Sequence, residues 1–177
     1  WIFQHFHILT KKDVKAKMTP FQFYDYAVEL KQKGGLQTAS IDSWKDLSHP
    51  YHEFGGYAQY LEVVLPYRNQ IAEDNELHLH TIIHPKLTEK INGKRSVPSP
   101  YDLKGGSEWF NSGKCMITVH REDLNYNQAI INFNKIKPRS AGQIGQLIMW
   151  FDKEKFLYYE QENPAPNVYN KIYAKQK

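Results

Sequence analysis

The chain is poor in cysteine and has no long apolar run. Cys115 is the only cysteine among 177 residues, so an internal disulfide is excluded and a reducing, cytosol-like compartment is expected. No stretch approaches the roughly 20 apolar residues that span a bilayer, so the sequence predicts a protein without a membrane segment. Because the chain opens with Trp1 rather than Met, we expect it to be a piece of a longer protein.

The sequence also lacks a phosphate-binding loop. No segment has the pattern G-x-x-x-x-G-K-[ST], in which backbone N–H groups and a lysine hold the phosphates of a nucleotide. These residues alone are therefore not expected to hold ATP tightly or to hydrolyse it.

Cys115 stands in an apolar run, Cys115–His120, which predicts a buried core thiol rather than a nucleophile.

The charged residues are balanced apart from a small cationic excess. The chain has 23 Lys and Arg, 19 Asp and Glu, and a formal net charge of +4, which permits an anionic partner without requiring one. Two stretches concentrate the cations, the first with Lys86, Lys90, Lys94, Arg95 and Lys104, the second with Lys135, Lys137 and Arg139. On charge alone, such runs are also typical of a solvated surface.

Hydrophobic periodicity divides the chain into a front half of alternating strands and helices and a back half of consecutive strands. The front half is predicted to contain a strand at Trp1–Leu9, a helix capped by Thr19 and stopped by Gly34 and Gly35, a strand at Leu36–Asp42, a helix at Gly56–Glu73 kinked at Pro66, and a strand at Leu77–His84. A long loop, 85–105, and a short helix at Ser107–Asn111 lead into strands at Cys115–His120, Ala129–Asn134, Gln146–Phe151 and Phe156–Glu160. We therefore predict one α/β domain, residues 1–160, in which a mostly parallel sheet is extended by an antiparallel section, and a polar tail, Gln161–Lys177.

Polar residues mark the ends of two predicted strands, Asp42 after one and His84 after the other. Ligands of open α/β sheets bind beyond the carboxyl ends of the strands. An aspartate there suits a hydrated Mg²⁺ ion, and a histidine can hydrogen-bond a phosphate oxygen. Lys137 and Arg139 follow a later strand and carry charge of the kind that stabilises a phosphoryl group during its transfer.

The second of these strands also raises the alternative of a zinc site. His78, His80 and His84 share one strand face by parity, and imidazoles are common zinc ligands. The face would have to be exposed, and no Cys or carboxylate is spaced to complete four ligands. We therefore do not favour metal binding by these histidines.

Several segments match, in order, the motifs of a known family. They are Trp1–Phe6, Ala39–Trp44, Tyr57–Ala72, His80–Lys86, Asp102–Ser107 and Lys137–Gly145. Ala39–Trp44 is similar to a Walker B strand, Asp102–Ser107 to an Asp-Leu-Arg-Gly-Ser signature, and Lys137–Gly145 to a Lys-x-Arg-Phe-x-Gly-x-x-Gly motif. Together they resemble the C-terminal part of the RecA-like ATPase domain of DnaB-type replicative DNA helicases, in particular the Twinkle-like enzymes and the phage primase-helicases.

The resemblance implies a RecA-like fold and a role for each matching residue. Asp42, Ser43 and His84 would bind the nucleotide, with Asp42 holding Mg²⁺ through water and His84 contacting the γ-phosphate of ATP. Lys137 and Arg139 would act as an arginine finger in the site of the adjacent subunit, which implies a hexameric ring. Single-stranded DNA would be contacted by Lys86, Lys90, Lys94, Arg95, Lys104 and Gly105.

The implied parent protein is an ATP-dependent DNA helicase that uses ATP and Mg²⁺. Its implied partners are single-stranded DNA, further copies of itself and a primase, in a bacterial or phage-infected cytoplasm or in the mitochondrial matrix. Two other interpretations stay open, namely a non-catalytic DNA-binding or ring-assembly module with a RecA-like fold, and another RecA-type ATPase. The chain departs from the family at Ser43, where Pro or His is frequent, and at Ser107–Gly113, which lacks a Gln/Ala-rich pattern.

Overall fold

The computed structural model describes residues 5–10, 17–86, 90–91, 94–121, 127–137 and 139–160, which form a mixed α/β structure. The helices are α1 (Pro20–Gly34), α2 (Tyr57–Asp74) and α3 (Gly106–Ser112), with 3₁₀ turns at Trp44–Asp46, Tyr51–Phe54, Pro100–Asp102 and Arg139–Ala141. The strands are β1 (Thr38–Asp42), β2 (His78–Ile82), β3 (Lys90–Ile91), β4 (Lys94–Arg95), β5 (Cys115–His120), β6 (Gln128–Ile136), β7 (Gly145–Asp152) and β8 (Leu157–Tyr159). The chain divides into two compact units, the first being Trp1–Lys86 with Leu103–Ser112 and the second Leu87–Asp102 with Gly113–Lys177.

Helix α1 begins and ends where its sequence predicts. Thr19 Oγ1 accepts a hydrogen bond from the backbone N–H of Gln22, and Gln22 Oε1 accepts one from the N–H of Thr19 at 2.9 Å, which completes a capping box. Pro20 occupies the first helical position, where a backbone N–H would have no helical partner. Gly35 ends the helix with φ of +71° and donates its N–H to the carbonyl of Lys31.

Strands β1 and β2 pair in parallel, with Asp42 opposite Ile82. The connection between them runs through α2, because parallel strands need a crossover rather than a tight turn. Ile41 is 4% exposed, whereas Asp42, the last residue of β1, is exposed. This arrangement sets the carboxyl ends of both strands at one edge of the pair.

Helix α2 and a set of aromatic rings make up the core of the first unit. Its most buried large side chains come from α1, the turn after β1, α2 and α3, and they are Tyr24, Trp44, Tyr60, Leu61, Val64, Leu65 and Trp109. The rings of Trp44 and Trp109 meet edge to face with centroids 4.9 Å apart, a favoured geometry for two aromatic quadrupoles. These contacts hold the turn after β1 against α3.

Arg68 links α2 to α3 through its guanidinium group. Its Nη2 donates to Oγ of Ser112 at 3.3 Å and to Oδ1 of Asn69 at 3.0 Å. The guanidinium carbon lies 5.7 Å from the centre of the Trp109 ring, within the range of a cation–π contact. Burial lowers the pKa of Arg68, but an arginine still carries its charge at neutral pH.

The second unit contains an antiparallel sheet with the strand order β5-β6-β7-β8, the meander predicted for the back half of the sequence. Ile131 of β6 stands opposite Val119 on one side and Leu147 on the other. Val119 is 61% exposed and Leu147 is 52% exposed, so this face presents apolar side chains to solvent. On the other face, the amide of Gln146 donates to Oδ1 of Asn132 at 2.9 Å.

Two of the predicted strands differ from the structure. None of the described residues 5–10 lies in a strand, and Phe6 and Ile8 are 58% and 65% exposed; the first four residues of the predicted strand lie outside the described part. The strand predicted at Leu77–His84 ends at Ile82. A proline follows His84, and its missing N–H cannot continue a ladder of hydrogen bonds.

The parallel part of the structure is also smaller than predicted. Among the described strands, two pair in parallel, whereas four form the antiparallel sheet of the second unit and two more form a short antiparallel pair.

Cys115 was predicted in the core, and that prediction is wrong because the thiol is exposed. Exposure alternates along β5, and Cys115 lies on the same exposed face of the strand as Ile117 and Val119.

Of the helices in the described part, none is both long and apolar enough to cross a membrane.

Candidate functional site

Asp42 and His84 lie at the same edge of the parallel pair. Asp42 is the last residue of β1, and its register partner in β2 is Ile82, which precedes His84 by two positions. Both side chains are exposed, so a ligand outside the sheet can reach each of them. The structure thus brings these two predicted site residues to one edge of the first unit.

Ser43 has a structural role beside Asp42. Its side chain is 4% exposed, and its Oγ donates to Oδ2 of Asp46 at 2.9 Å in the capping box of the following turn. The peptide bond between Asp42 and Ser43 is cis. Because the hydroxyl is buried and hydrogen-bonded, it sets the direction of the chain after Asp42, and its contact with a nucleotide stays a prediction.

Magnesium, which the resemblance implies, would meet one carboxylate at this edge. Mg²⁺ keeps several waters and is commonly bound through one or two carboxylates together with substrate phosphates. The exposed carboxylate of Asp42 fits that role as a water-mediated ligand. Among the residues that the structure describes, no group of three or more His, Cys, Asp or Glu side chains could hold a metal ion.

His78 and His80 lie on the exposed face of β2 with ring centroids 4.3 Å apart. Burial, and then the charge of His78, lowers the pKa of His80, so protonation of His80 is disfavoured. His84 lies beyond the end of β2, where strand parity no longer groups it with the other two. Among the described residues these three histidines do not form a group that could hold a metal ion.

The cations predicted to contact DNA are divided between the two units. Lys86 and Lys104 belong to the first unit and are exposed, whereas Lys90, Lys94 and Arg95 belong to the second. Lys90 stands opposite Arg95 in the short antiparallel pair of β3 and β4. The backbone of this pair therefore sets three cationic residues on two adjacent strands.

Lys104 lies against two tyrosine rings of the first unit. Its Nζ is 4.4 Å from the centre of the Tyr57 ring and 5.5 Å from that of Tyr51, both within the range of a cation–π contact. The next residue, Gly105, has φ of +70°, and a Cβ there would lie 2.4 Å from Cδ1 of Leu61. Close packing thus requires glycine at this position, and the turn that it forms holds Lys104 at the tyrosines.

Lys137 and Arg139, the predicted finger, follow β6 in the second unit, and both are exposed. Pro138 between them lies outside the described residues. The backbone N–H of Lys137 donates to the carbonyl of Lys114 at 2.8 Å. The pKa of Lys135, which is 8% exposed, is lowered by its burial and then by the positive charges of Lys137 and Lys114. The positive charges of Lys114 and Lys137 therefore lie close enough to Lys135 to affect it, next to the predicted finger.

Sequence reasoning did not single out Tyr51, Tyr57 or Lys114. Tyr57 follows the pair Gly55 and Gly56, and Tyr51 precedes that pair within the same segment, a pattern that signals a turn but gives no indication that a distant lysine packs on the tyrosines. Lys114 lies next to Lys137 only because β5 pairs with β6. Aromatic residues beside glycine pairs would have indicated Tyr57, and cations at both ends of a predicted hairpin would have indicated Lys114, whereas no local signal indicates Tyr51.

No protein-family model matches the chain, and no curated protein is significantly similar to it. A function is therefore supported by the order of the sequence motifs and by the positions of the side chains.

Proposed function

We propose that this chain is part of an ATP-dependent replicative DNA helicase, a RecA-like motor that translocates on single-stranded DNA as a ring. The observation that carries the proposal is the parallel pairing of β1 and β2, which sets Asp42 and His84 at one edge. An acid and a polar side chain at neighbouring strand ends suit a nucleotide site, because ligands of open α/β sheets bind there. The antiparallel strands β5 to β8 are in keeping with a C-terminal extension of a RecA-like sheet.

In the proposed site, ATP supplies the phosphoryl group and Mg²⁺ offsets its negative charge. The exposed carboxylate of Asp42 would orient water around the ion, and His84 would hydrogen-bond a phosphate oxygen. Pro85 and Lys86 follow His84 directly. A displacement of His84 on loss of the phosphate would therefore move a lysine that is expected to contact DNA.

Lys137 and Arg139 would complete the site of a neighbouring subunit. Both are exposed, and Arg139 begins a 3₁₀ turn, from which its planar guanidinium could contact two phosphate oxygens at once. The nearby lysines 114 and 135 raise the local positive potential, which favours an anionic ligand. A finger that acts between subunits requires an oligomer, and head-to-tail contacts that close produce a ring.

The test is Lys137→Ala/Arg139→Ala in the full-length protein, measured as DNA-stimulated ATP hydrolysis. Loss of the finger should lower the rate by ~10³–10⁵, with little change in thermal stability because both side chains are exposed. Lys153→Ala/Lys155→Ala, which removes two exposed cations from the turn between β7 and β8 of the same unit, is the control for loss of positive charge, and it also removes the ion pair of Lys155 with Asp152 at 3.2 Å.

Mixed assemblies separate action between subunits from action within one subunit. Asp42→Asn subunits and subunits without the finger should each be inactive alone. A ring that contains both has interfaces with an intact Asp42 on one side and an intact finger on the other, so hydrolysis should return on mixing. A double variant with an unchanged rate rejects the finger. A full-length protein that binds DNA but never hydrolyses ATP supports the non-catalytic DNA-binding module instead.

A further inference from the structure

Lys104, Tyr51 and Tyr57 form a cluster on the first unit, called here the Lys–Tyr cluster. The two tyrosine rings meet edge to face with centroids 5.9 Å apart. Tyr51 is 41% exposed, Lys104 is exposed, and Tyr57 is half-buried. The cluster thus offers solvent an aromatic ring and an ammonium group side by side.

Two turns that need glycine hold the Lys–Tyr cluster in place. The turn at Gly105 positions the lysine. On the other side, Gly55 has φ of +84°, and Gly56 donates its N–H to the carbonyl of Tyr51 at 2.9 Å. Tyr57 begins α2, and burial raises the pKa of its hydroxyl, so the ring that meets the ammonium group stays neutral. The backbone positions of Tyr51 and Lys104 are therefore set by turns that precede any ligand contact.

We propose that the Lys–Tyr cluster is a contact site for single-stranded nucleic acid, with a base stacked on Tyr51 and the adjacent phosphate at Lys104. This inference rests on the proposed function and assigns a base-stacking residue to it. Aromatic rings stack on unpaired bases of any sequence, and lysine neutralises the backbone phosphates. A motor that moves along DNA of any sequence needs contacts of this sequence-tolerant kind.

A purely structural role for the cluster makes a different prediction. If Lys104 only covers Tyr57, its removal changes stability and leaves the affinity for nucleic acid as it was. A lysine–phosphate contact instead contributes ~0.7 to the slope of log K against log salt for a single strand. Stacking on Tyr51 changes affinity without changing that slope, so salt titration distinguishes the two contacts.

The experiment measures binding of the full 177-residue chain to fluorescein-labelled oligothymidylate by anisotropy, at several salt concentrations. Tyr51→Ala should weaken binding about tenfold with the salt slope unchanged, in line with the loss of one stacked base. Tyr51→Phe should bind as the unchanged chain does. Lys104→Ala should lower the salt slope by ~0.7. Tyr158→Ala in β8, which removes a ring of similar exposure (43%), is the control for general aromatic loss.

The outcomes distinguish failure of the contact site from failure of DNA binding by the whole chain. If the unchanged chain binds but Tyr51→Ala and Lys104→Ala behave like it, the Lys–Tyr cluster is not a contact site while the proposed function stands. If the unchanged chain binds no oligonucleotide, the contact site and DNA binding by this chain are both rejected. Tyr51→Leu, which keeps apolar volume against Tyr57, replaces the alanine variant if that one loses its circular dichroism spectrum. Oligouridylate in place of oligothymidylate shows whether DNA or RNA is preferred.

Discussion

Gly105 is the residue on which the position of Lys104 depends. A methyl group there would lie 2.4 Å from Cδ1 of Leu61 and 3.2 Å from Cε1 of Tyr57, at a φ of +70°. We expect Gly105→Ala to lower the free energy of unfolding by about 2–5 kcal/mol, since the left-handed conformation costs roughly 1–2 kcal/mol and overpacking roughly 1–3 kcal/mol. Urea unfolding followed by tryptophan fluorescence measures the change.

Two other glycines separate the backbone strain from the steric clash. Gly35 has nearly the same φ, +71°, but open space where a methyl group would stand, so Gly35→Ala reports the strain alone. Gly34 ends α1 with neither a positive φ nor a neighbour within 4 Å, so Gly34→Ala should raise stability slightly, by about 0.4–1 kcal/mol. A loss in Gly105→Ala no larger than that in Gly35→Ala would contradict the close contact with Leu61.

Single residues were predicted from the sequence where their role depends on near neighbours in the chain. Thr19 and Gly35 could be assigned because a helix cap involves only the next few residues. Cys115 could not, because its exposure depends on what covers one face of β5. Asp42 was placed at the end of its strand in agreement with the structure, whereas β2 stops before His84.

At the scale of the element, α1 offers the clearest test of a local interaction. Thr19→Ala removes the side-chain acceptor of the Gln22 N–H and one half of the capping box. We expect the free energy of unfolding to fall by about 1 kcal/mol. Thr19→Ser keeps the hydroxyl and should retain most of the stability, as measured by thermal unfolding. Equal losses in the two variants would show that the methyl group of Thr19 matters rather than its hydrogen bond.

Strands were harder to predict than helices because each depends on a partner elsewhere in the chain. Cys115–His120 was predicted with its bounds, and its pairing with β6 in a meander is confirmed. Residues 5–9 include the apolar Phe6, Ile8 and Leu9, yet they form no strand, and β1 pairs with β2 instead. Strand propensity alone predicts poorly, because a strand is stabilised by packing against its cross-strand and same-face neighbours.

At the scale of the whole molecule, stability is expected to fall below neutral pH. His49 Nε2 lies 2.7 Å from the carbonyl of Trp44 and its Nδ1 3.2 Å from the hydroxyl of Tyr60. Burial lowers the pKa of His49 below its usual 6.5, and the pKa of His80 is lowered as well. Between those lowered values and 6.5 the unfolded chain binds more protons than the folded chain, so the free energy of unfolding decreases as pH falls.

Thermal unfolding at a series of pH values checks this expectation. His49→Gln keeps a donor for the Trp44 carbonyl but cannot titrate, so its melting temperature should depend less on pH in the acidic range. His52→Gln, at an exposed histidine of the same segment, is the control. If His49→Gln follows the unchanged chain at every pH, burial of His49 does not govern acid stability.

The division into two units could not be predicted from the sequence, because it depends on which distant segments contact each other. The segment Leu103–Ser112 belongs with the first unit although the residues on both sides of it belong with the second. That return of the chain brings Lys104 to Tyr51 and Tyr57, and no local pattern indicates it. The motif order could be read from the sequence because each motif is short and continuous.

Cys115 has a consequence for how assembly could be followed. It is the only thiol of the chain and it is exposed on β5, so a maleimide dye would attach at one defined position without mutagenesis. In a ring of identical subunits, donor and acceptor dyes at this position would occupy equivalent places. The efficiency of energy transfer would then report the distance between the β5 strands of neighbouring subunits as nucleotide and DNA are added.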